Sequence, residues 1–428
     1  MRAPTPQPEP TSWAAQTFRS LRVRNFRLFY MGQFISQGGT WMQTVSLSWV
    51  VLQLTDSGVA LGLVTAAQFL PVLLFGAWGG VLADRVDRHR FMLMTQAGLT
   101  LVAVAFSVLV LFDRLTIAAV YGLSTAYGLL TAVDNPTRRT LVADLVPTDD
   151  VANAVSLHSA MMTGSRVFGP ALAGLLITTV GVKWCFVVNA TSYLAVIFAL
   201  LAMDRDQIRP APMVAKAKGQ LVAGLRYVWS TPELRDAIIL LAVVGTLAFE
   251  YQVTLLLLAE RTFTAGAVGY TLLYSCMSVG SVIGALGIAR RRNVDLRFLL
   301  TGSWALVGAT VAISLAPTLA LAAAASVLVG GSNIMLMSGA NALMQLHAAP
   351  EMRGRALALT AVVFAGSTPI GGPIAGWVSE HFGARAGLLI GAIATAVVAA
   401  ALGWSRYRPV PRPTSPEDPG REPAGPLP

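Results

Sequence analysis

A succession of apolar runs, each about as long as a bilayer is thick, constrains this 428-residue chain more than any other feature. A helix needs roughly 20 apolar residues to cross the hydrocarbon core. In lipid the backbone must satisfy its own hydrogen bonds, so runs of this kind are helices. Twelve are counted, near residues 26–52, 58–83, 90–112, 116–136, 151–179, 183–203, 237–259, 267–289, 297–316, 319–343, 354–379 and 385–405. Several exceed what a bilayer requires, so tilt or protrusion is expected. Charged residues make up only 12% of the chain, against about 25% in soluble proteins. The fold class read from this is an all-α polytopic membrane protein.

The net charge of +10 would suggest nucleic acid in a soluble protein. Here the basic residues fall in short connections between apolar runs, so they report topology and no nucleic-acid partner is expected. With the N-terminus inside, 26 of the 31 lysines and arginines lie on the inner side. That asymmetry predicts both termini to be cytoplasmic and a multi-pass location in the inner (plasma) membrane. No cleavable signal peptide is read at the N-terminus. Cys185 and Cys276 have no metal-ligand or disulfide spacing and read as packing residues.

The longest internal connection separates six spans from six. The predicted organisation is a disordered N-terminus (1–24), a first bundle (25–203), a linker (204–236), a second bundle (237–406) and a disordered proline-rich tail (407–428). The linker carries Leu221, Leu225, Val228 and Trp229 at helical spacing, which predicts an amphipathic helix on the inner membrane face. The two halves repeat. Pro147 and Gly169-Pro170 recur as Pro350 and Gly372-Pro373 at an offset of 203, and Arg90-Phe91 recurs as Arg297-Phe298 at 207. A parallel repeat of this kind places a site between the halves near the midplane.

Between the second and third spans the apolar pattern is broken by a dense charge knot, Asp84, Arg85, Asp87, Arg88 and Arg90, within seven positions. Written as Gly80-x-x-x-Asp84-Arg85-x-x-Arg88-His89-Arg90, it resembles the signature loop of the major facilitator superfamily, with Asp87 in place of the motif glycine and His89 in place of a basic residue. The stretches DNPTRRTLVADLVP, GSRVFGPALAG and RGRALAL resemble one branch, the transmembrane secretion effectors, which includes siderophore exporters and macrolide efflux proteins. The resemblance covers roughly residues 20–406. It implies two six-helix bundles, a central cavity lined by helices one, four, seven and ten, and a monomer that moves a small molecule. It implies that Asp84 meets the N-terminus of the eleventh helix, where a helix dipole favours an anion. Arg88 is implied to pair with an acid at the end of the fourth helix, for which Asp134 is the candidate. Gly80, Asp84, Arg85, Arg88 and Asp134 are thus the expected conformational latch. Gly169-Pro170-x-x-x-Gly174 resembles the fifth-helix motif of exporters and, with Gly372 and Pro373, is expected to serve close helix packing.

Candidate cavity residues follow from polar positions in apolar helices. The first span carries Gln33, Gln37, Thr40 and Thr44 as one stripe, with Trp41 beside it. The tenth offers Ser332, Asn333, Asn341 and Gln345, and the fourth Tyr121, Thr125 and Tyr127. Such groups bind a ligand or hydrogen-bond between helices. Charges inside spans cost about 2.5–3.5 kcal/mol each on insertion scales, so they usually carry a function. Glu250 in the seventh span and Arg166 in the fifth are the proton-coupling candidates, with His158 a weaker one. The basic residue that drug antiporters carry in the fourth helix is absent from 121–133. No phosphate-binding loop, metal cluster or nucleophile triad is found, so no cofactor and no enzymatic activity are expected. The expected function is secondary active export of a small amphiphilic molecule by alternating access, with protons as the counter-ion. Uptake or lipid movement on the same fold, and a non-transporting membrane sensor, are the competing readings.

Overall fold

The computed structural model describes residues 16–83, 85–208, 220–289 and 294–407. Its long helices are α1 (Arg24–Thr55), α2 (Gly58–Ala83), α3 (Arg88–Leu111), α4 (Ile117–Asp144), α5 (Val151–Thr179) and α6 (Lys183–Leu201). A short α7 (Gln220–Ser230) follows, then α8 (Pro232–Leu247) and α9 (Tyr251–Leu257), then α10 (Gly266–Ala289), α11 (Leu296–Leu315), α12 (Leu319–His347), α13 (Arg353–Phe382) and α14 (Ala384–Tyr407). Eleven helical segments among the described residues are long and apolar enough to cross a membrane. With the 32-residue α1, whose polar stripe lowers its hydropathy, the count fits the expected twelve.

The internal repeat is visible in how helices begin. Asp87 caps α3 by accepting from the amides of His89 and Arg90, and Asp295 caps α11 by accepting from Phe298. Thr116 caps α4 and Thr318 caps α12 in the same way. Each cap satisfies a backbone donor that the first helical turn leaves open. Asp87, which departs from the signature at a glycine position, therefore has a structural task that its counterpart in the second half shares.

Helices α1–α6 pack mainly among themselves, as do α8–α14, and the two sets meet where α2 crosses α13 and α5 crosses α10. The first crossing is a seam of small residues. A Cβ on Gly62 would overlap the backbone of Gly372 and Pro373, and one on Gly376 would overlap Gly58. Only backbones without side chains approach this closely. The second crossing places Gly174 of α5 against the side chain of Thr271.

Four expectations are corrected. The fourth helix does not end near 136 but continues through Pro136 to Asp144. The hydroxyls of Thr137 and Thr140 donate to Val133 O and Pro136 O on either side of the proline. The seventh span is not continuous: α8 ends at Leu247, α9 starts at Tyr251, and a π-turn over Leu258–Thr262 closes it. Arg19–Arg22, inside the expected disordered N-terminus, forms a 3₁₀ turn docked on the start of α5. There Ser20 is buried and bonds Asn153, and Arg19 pairs with Asp150 at 2.9 Å. The linker helix exists as α7, but it lies on protein as well as facing outward. Val228 is fully buried, Gly224 sits against Arg355, and the Tyr227 hydroxyl accepts from the amide of Ala349. Leu225 and Trp229 form its exposed side.

The seam predicts a contrast between two glycines. Gly62→Ala forces backbone apart and costs about 1–3 kcal/mol as an overpacking substitution. Gly122→Ala, where nothing lies within 4 Å of the added carbon, leaves stability unchanged or slightly raised. Thermal unfolding of the two variants in detergent measures the difference.

Candidate functional site

The charge knot is the first part of the site to resolve. Arg88 opens α3 and donates from one terminal nitrogen to both oxygens of Asp144, at 3.0 and 2.7 Å. Asp144, almost fully buried, ends α4. The expected partner, Asp134, lies ten residues earlier in the same helix and is held elsewhere. Its carboxylate accepts from Thr95 and Gln96, each at 2.8 Å, and pairs with Arg138 one turn on. The pairing with Asp134 is therefore incorrect, because the helix runs on past Pro136 and delivers a later acid to its end. His89, the second departure from the signature, is buried and bonds the carbonyl of Leu200 at 2.8 Å, tying α3 to the end of α6. Arg85 is exposed and Gly80 half-buried. The close approach of α2 to α4 is made by Gly79 against Ala132 and Val133. Asp84 lies outside the described residues.

Glu250 occupies the break in the seventh span. Its backbone carbonyl accepts from the amides of Val253 and Thr254 and so starts α9, while its side chain points away from that role. Only 3% of the residue is exposed, and Oε1 has no hydrogen-bond partner. The carboxylate lies against Gly371 and Gly372 of α13, where a Cβ on Gly371 would stand 2.9 Å from Oε1. The Thr368 hydroxyl is beside it. Gly372 also touches Gly62, so the carboxylate sits at the meeting of α2, α13 and the broken span. Of the threonines one turn to either side, Thr246 donates to the carbonyl of Ala242 and Thr254 to the backbone carbonyl of Glu250 itself, so neither hydroxyl is given to the carboxylate. Discontinuous spans recur at ion and substrate sites in transporters because an opened backbone can line a cavity.

Arg166 faces the same region from the other set of helices. Its guanidinium stands 5.1 Å from the ring centre of Trp41. Trp41 is 6.2 Å from Tyr274, which meets Tyr270 edge-on at 5.9 Å. The Ser278 hydroxyl donates to the Arg166 carbonyl at 2.8 Å and pins α10 to α5. Gly169, one turn beyond Arg166, seats the Cβ of Trp41, which explains the glycine of the fifth-helix motif. Tyr274 also has Gln252 beside it. Among the described residues Arg166 and Glu250 make no direct ion pair, and no carboxylate pairs with the guanidinium.

The polar stripe of the first span divides. Thr40 and Thr44 line a cleft inside the first helix set with Gln43, Gln68, Tyr127 and Asn189. There Thr40 hydrogen-bonds Tyr193, and Gln43 accepts from Asn189 at 2.7 Å. The cleft leaves about 10 Å³ for water centres, room for roughly one water. Gln37 is buried, and buried Gln33 has neither amide atom partnered. Trp41 points the other way, to the junction of the halves. Asn333 lies beside the Tyr251 hydroxyl at the start of α9, whereas Asn341 is half-buried nearer the chain's C-terminal end of α12. Tyr121 is half-buried, Thr125 and Gln345 are exposed, and Ser332 bonds its own helix. His158 is buried and stacks near Phe29.

A further set of contacts, with no signal in the sequence beyond isolated charges, closes the end of the bundle remote from the termini. Arg261, in the π-turn, donates to the Asp56 carbonyl at 2.7 Å and pairs with its side chain at 3.2 Å. Glu380, at the end of α13, accepts from Ser57 Oγ at 2.9 Å and from the amide of Val59 at 3.2 Å. A carboxylate of one half thus caps the first turn of α2 in the other. Tyr270, Tyr274 and Gln252 were likewise missed; the Tyr270–Tyr274 spacing of one helical turn was the available signal.

The revised knot predicts its own energetics. A double-mutant cycle on Arg88→Ala and Asp144→Ala gives a coupling of about 0.5–3 kcal/mol in unfolding free energy, the range for groups in direct contact. The corresponding cycle with Asp134→Ala gives markedly less. Denaturation of the four variants in each cycle provides the measurement.

Comparison with known proteins follows the same lines. Residues 15–422 match the transmembrane secretion effector family. The chain is 26% identical to the multidrug efflux pump Tap of Mycolicibacterium fortuitum over 373 residues, 82% of this chain and 88% of the other. It is 26% identical to the staphyloferrin A transporter of Staphylococcus aureus over 261 residues, 61% of this chain and 66% of the other. It is 26% identical to the enterobactin exporter EntS of Escherichia coli over 298 residues, 68% of this chain and 69% of the other. Among solved structures, a bacterial homologue of the lysosomal transporter Spinster, inward-facing and occupied, aligns with a TM-score of 0.70 at 15% identity, covering 90% of this chain and 96% of that one. The nucleoside transporter NupG aligns equally well, TM-score 0.70 at 12% identity, covering 90% and 100%. At such identities the likeness concerns the fold, which in both is that of major facilitator transporters. The chain belongs to the transmembrane secretion effector family of the major facilitator superfamily.

Proposed function

We propose that this protein is a secondary active exporter of a small amphiphilic molecule, working by alternating access and driven by exchange for protons. It acts as a monomer in the plasma membrane with both termini cytoplasmic. The 26 of 31 basic residues on the side of the termini support that orientation, which makes the end closed by Asp56, Arg261 and Glu380 the extracellular one. Export, rather than uptake, is supported by the relatives named as exporters or efflux pumps and by the use of Gly169 to seat Trp41.

One observation carries the coupling: a buried carboxylate with an unpartnered oxygen, at a broken helix, against the seam that joins the halves. An isolated carboxylate ion is strongly disfavoured away from water, so in this arrangement Glu250 carries a proton. When the proton leaves toward the cytoplasm, an uncompensated charge remains in the seam. That favours the alternative state, in which α2 and α13 part at the extracellular end and Glu250 meets water. A proton taken up there restores the seam. Arg88, Asp144 and the rest of the knot hold the cytoplasmic ends of α3 and α4 together while the halves rock, and Asp84 is the group proposed to contact the second half.

The test uses inverted membrane vesicles with an acidic interior and a panel of amphiphilic dyes and antibiotics. Gradient-driven uptake is expected for the parent protein and is lost when the gradient is collapsed. Glu250→Gln, which keeps the shape and removes the titration, abolishes gradient-driven uptake. Full gradient-driven uptake by Glu250→Gln would remove Glu250 from the mechanism.

A further inference from the structure

Arg166 is an unusual residue to leave without a counter-ion. It lies 13 residues from Thr179 and 15 from Val151, the two ends of α5, so about 20 Å of helix separates it from either end. An arginine stem cannot bring its charge to a headgroup over that distance. A charge at such depth is costly and normally pairs with an acid or a backbone carbonyl. Among the described residues the guanidinium has neither, and the residue is exposed to the space around it. What it has is the face of Trp41 at 5.1 Å, with Tyr274 next to that ring. Contact with an aromatic face compensates only a small part of that cost, which leaves the fork of donors open.

The surroundings are built to hold this arrangement. Gly169 gives the Trp41 side chain its seat, and Ser278 fixes the backbone of Arg166 to the second half. The result is a planar cation over the indole of Trp41 where the halves meet, with Tyr274 packed next to that indole. A guanidinium matches the two oxygens of a carboxylate or similar oxyanion, and it stacks on planar groups. The half-buried indole of Trp41 offers flat apolar surface to a conjugated body, and buried Tyr274 backs it.

We infer that Arg166, with Trp41 and Tyr274, is the recognition site for the exported molecule and that this molecule is a planar organic anion, a conjugated body bearing a carboxylate or a comparable oxyanion. The inference rests on the export reading for the direction of movement, but not for binding. It has an energetic consequence for that reading. Exchange of an inward proton for an outward monovalent anion moves two charges down an inside-negative potential.

Binding is tested on the purified full-length protein in lipid nanodiscs, by calorimetric titration with 2-naphthoate and with its neutral isostere 2-naphthamide, corrected by protein-free nanodiscs. Naphthoate binds about tenfold more tightly than the amide, as expected for a hydrogen-bonded charge pair. Arg166→Gln brings naphthoate down to the level of the amide and leaves the amide unchanged. Arg166→Lys, which keeps the charge without the fork, retains part of the preference, and Trp41→Leu weakens both probes. Equal binding of the two probes, an unchanged preference in Arg166→Gln, or no naphthoate binding at all overturns the proposal. Selective naphthoate binding without gradient-driven movement in inverted vesicles would instead leave this site standing and remove the export reading.

Discussion

The contact of α2 with α13 is the constraint on which the rest of the structure depends. At Gly62 and Gly372 the two backbones touch, and no side chain fits between them. In a membrane there is little hydrophobic drive to bring helices together, so close packing of small residues supplies the attraction. That closeness sets where everything else goes. It draws the carboxylate of Glu250 against Gly371 and Gly372, opens the seventh span into α8 and α9, and brings Ser57 and the start of α2 within reach of Glu380. A seam made of van der Waals contact and a few exposed polar bonds is also weak enough to part, since an exposed pair such as Arg261 with Asp56 contributes about 0–1 kcal/mol.

The two crossings divide the work in the proposed cycle. The α2–α13 seam holds the titratable acid and an extracellular closure. The α5–α10 crossing holds the guanidinium, the aromatic rings and the Ser278 tie. Neither charge is neutralised by the other, which leaves one available to a proton and one to a ligand. The charge knot stands apart from this centre. Its bonds among Asp87, Arg88, Asp144 and His89 lie within the first helix set and make the ends of α3, α4 and α6 one unit.

How much of this was legible in the sequence depended on the kind of signal. The membrane-spanning helices were, because hydrocarbon imposes a length and an apolar composition that few other structures share. The repeat was legible in Gly169-Pro170 and Gly372-Pro373, and the caps Asp87 and Asp295 repeat as well. Glu250 and Arg166 stood out because charges in apolar runs are costly. The partner of Arg88 was misread, since Pro136 suggested a helix end and α4 instead runs on to Asp144. The break at residues 248–250 has no proline and left no local mark; in the fold it lies against Gly371 and Gly372 of α13. Which way each residue of the α1 stripe faces was equally hidden, because Thr40 and Trp41 differ by one position yet serve different neighbours. Contacts such as Glu380 with Ser57 join residues 323 apart and belong to tertiary structure alone.

The central claim is that the proton on Glu250 decides whether the extracellular ends of the halves are together. It is tested most directly by distance measurement between spin labels at Arg114 and Pro317, exposed positions at that end in opposite halves, after Cys185 and Cys276 are replaced. With each labelled residue changed to cysteine, electron–electron double resonance across a range of pH reports the separation. The account predicts a short distance at acid pH that lengthens as pH rises, and a short distance at every pH in Glu250→Gln. A pH-dependent lengthening that persists in Glu250→Gln, or a distance indifferent to pH in the parent, would contradict it.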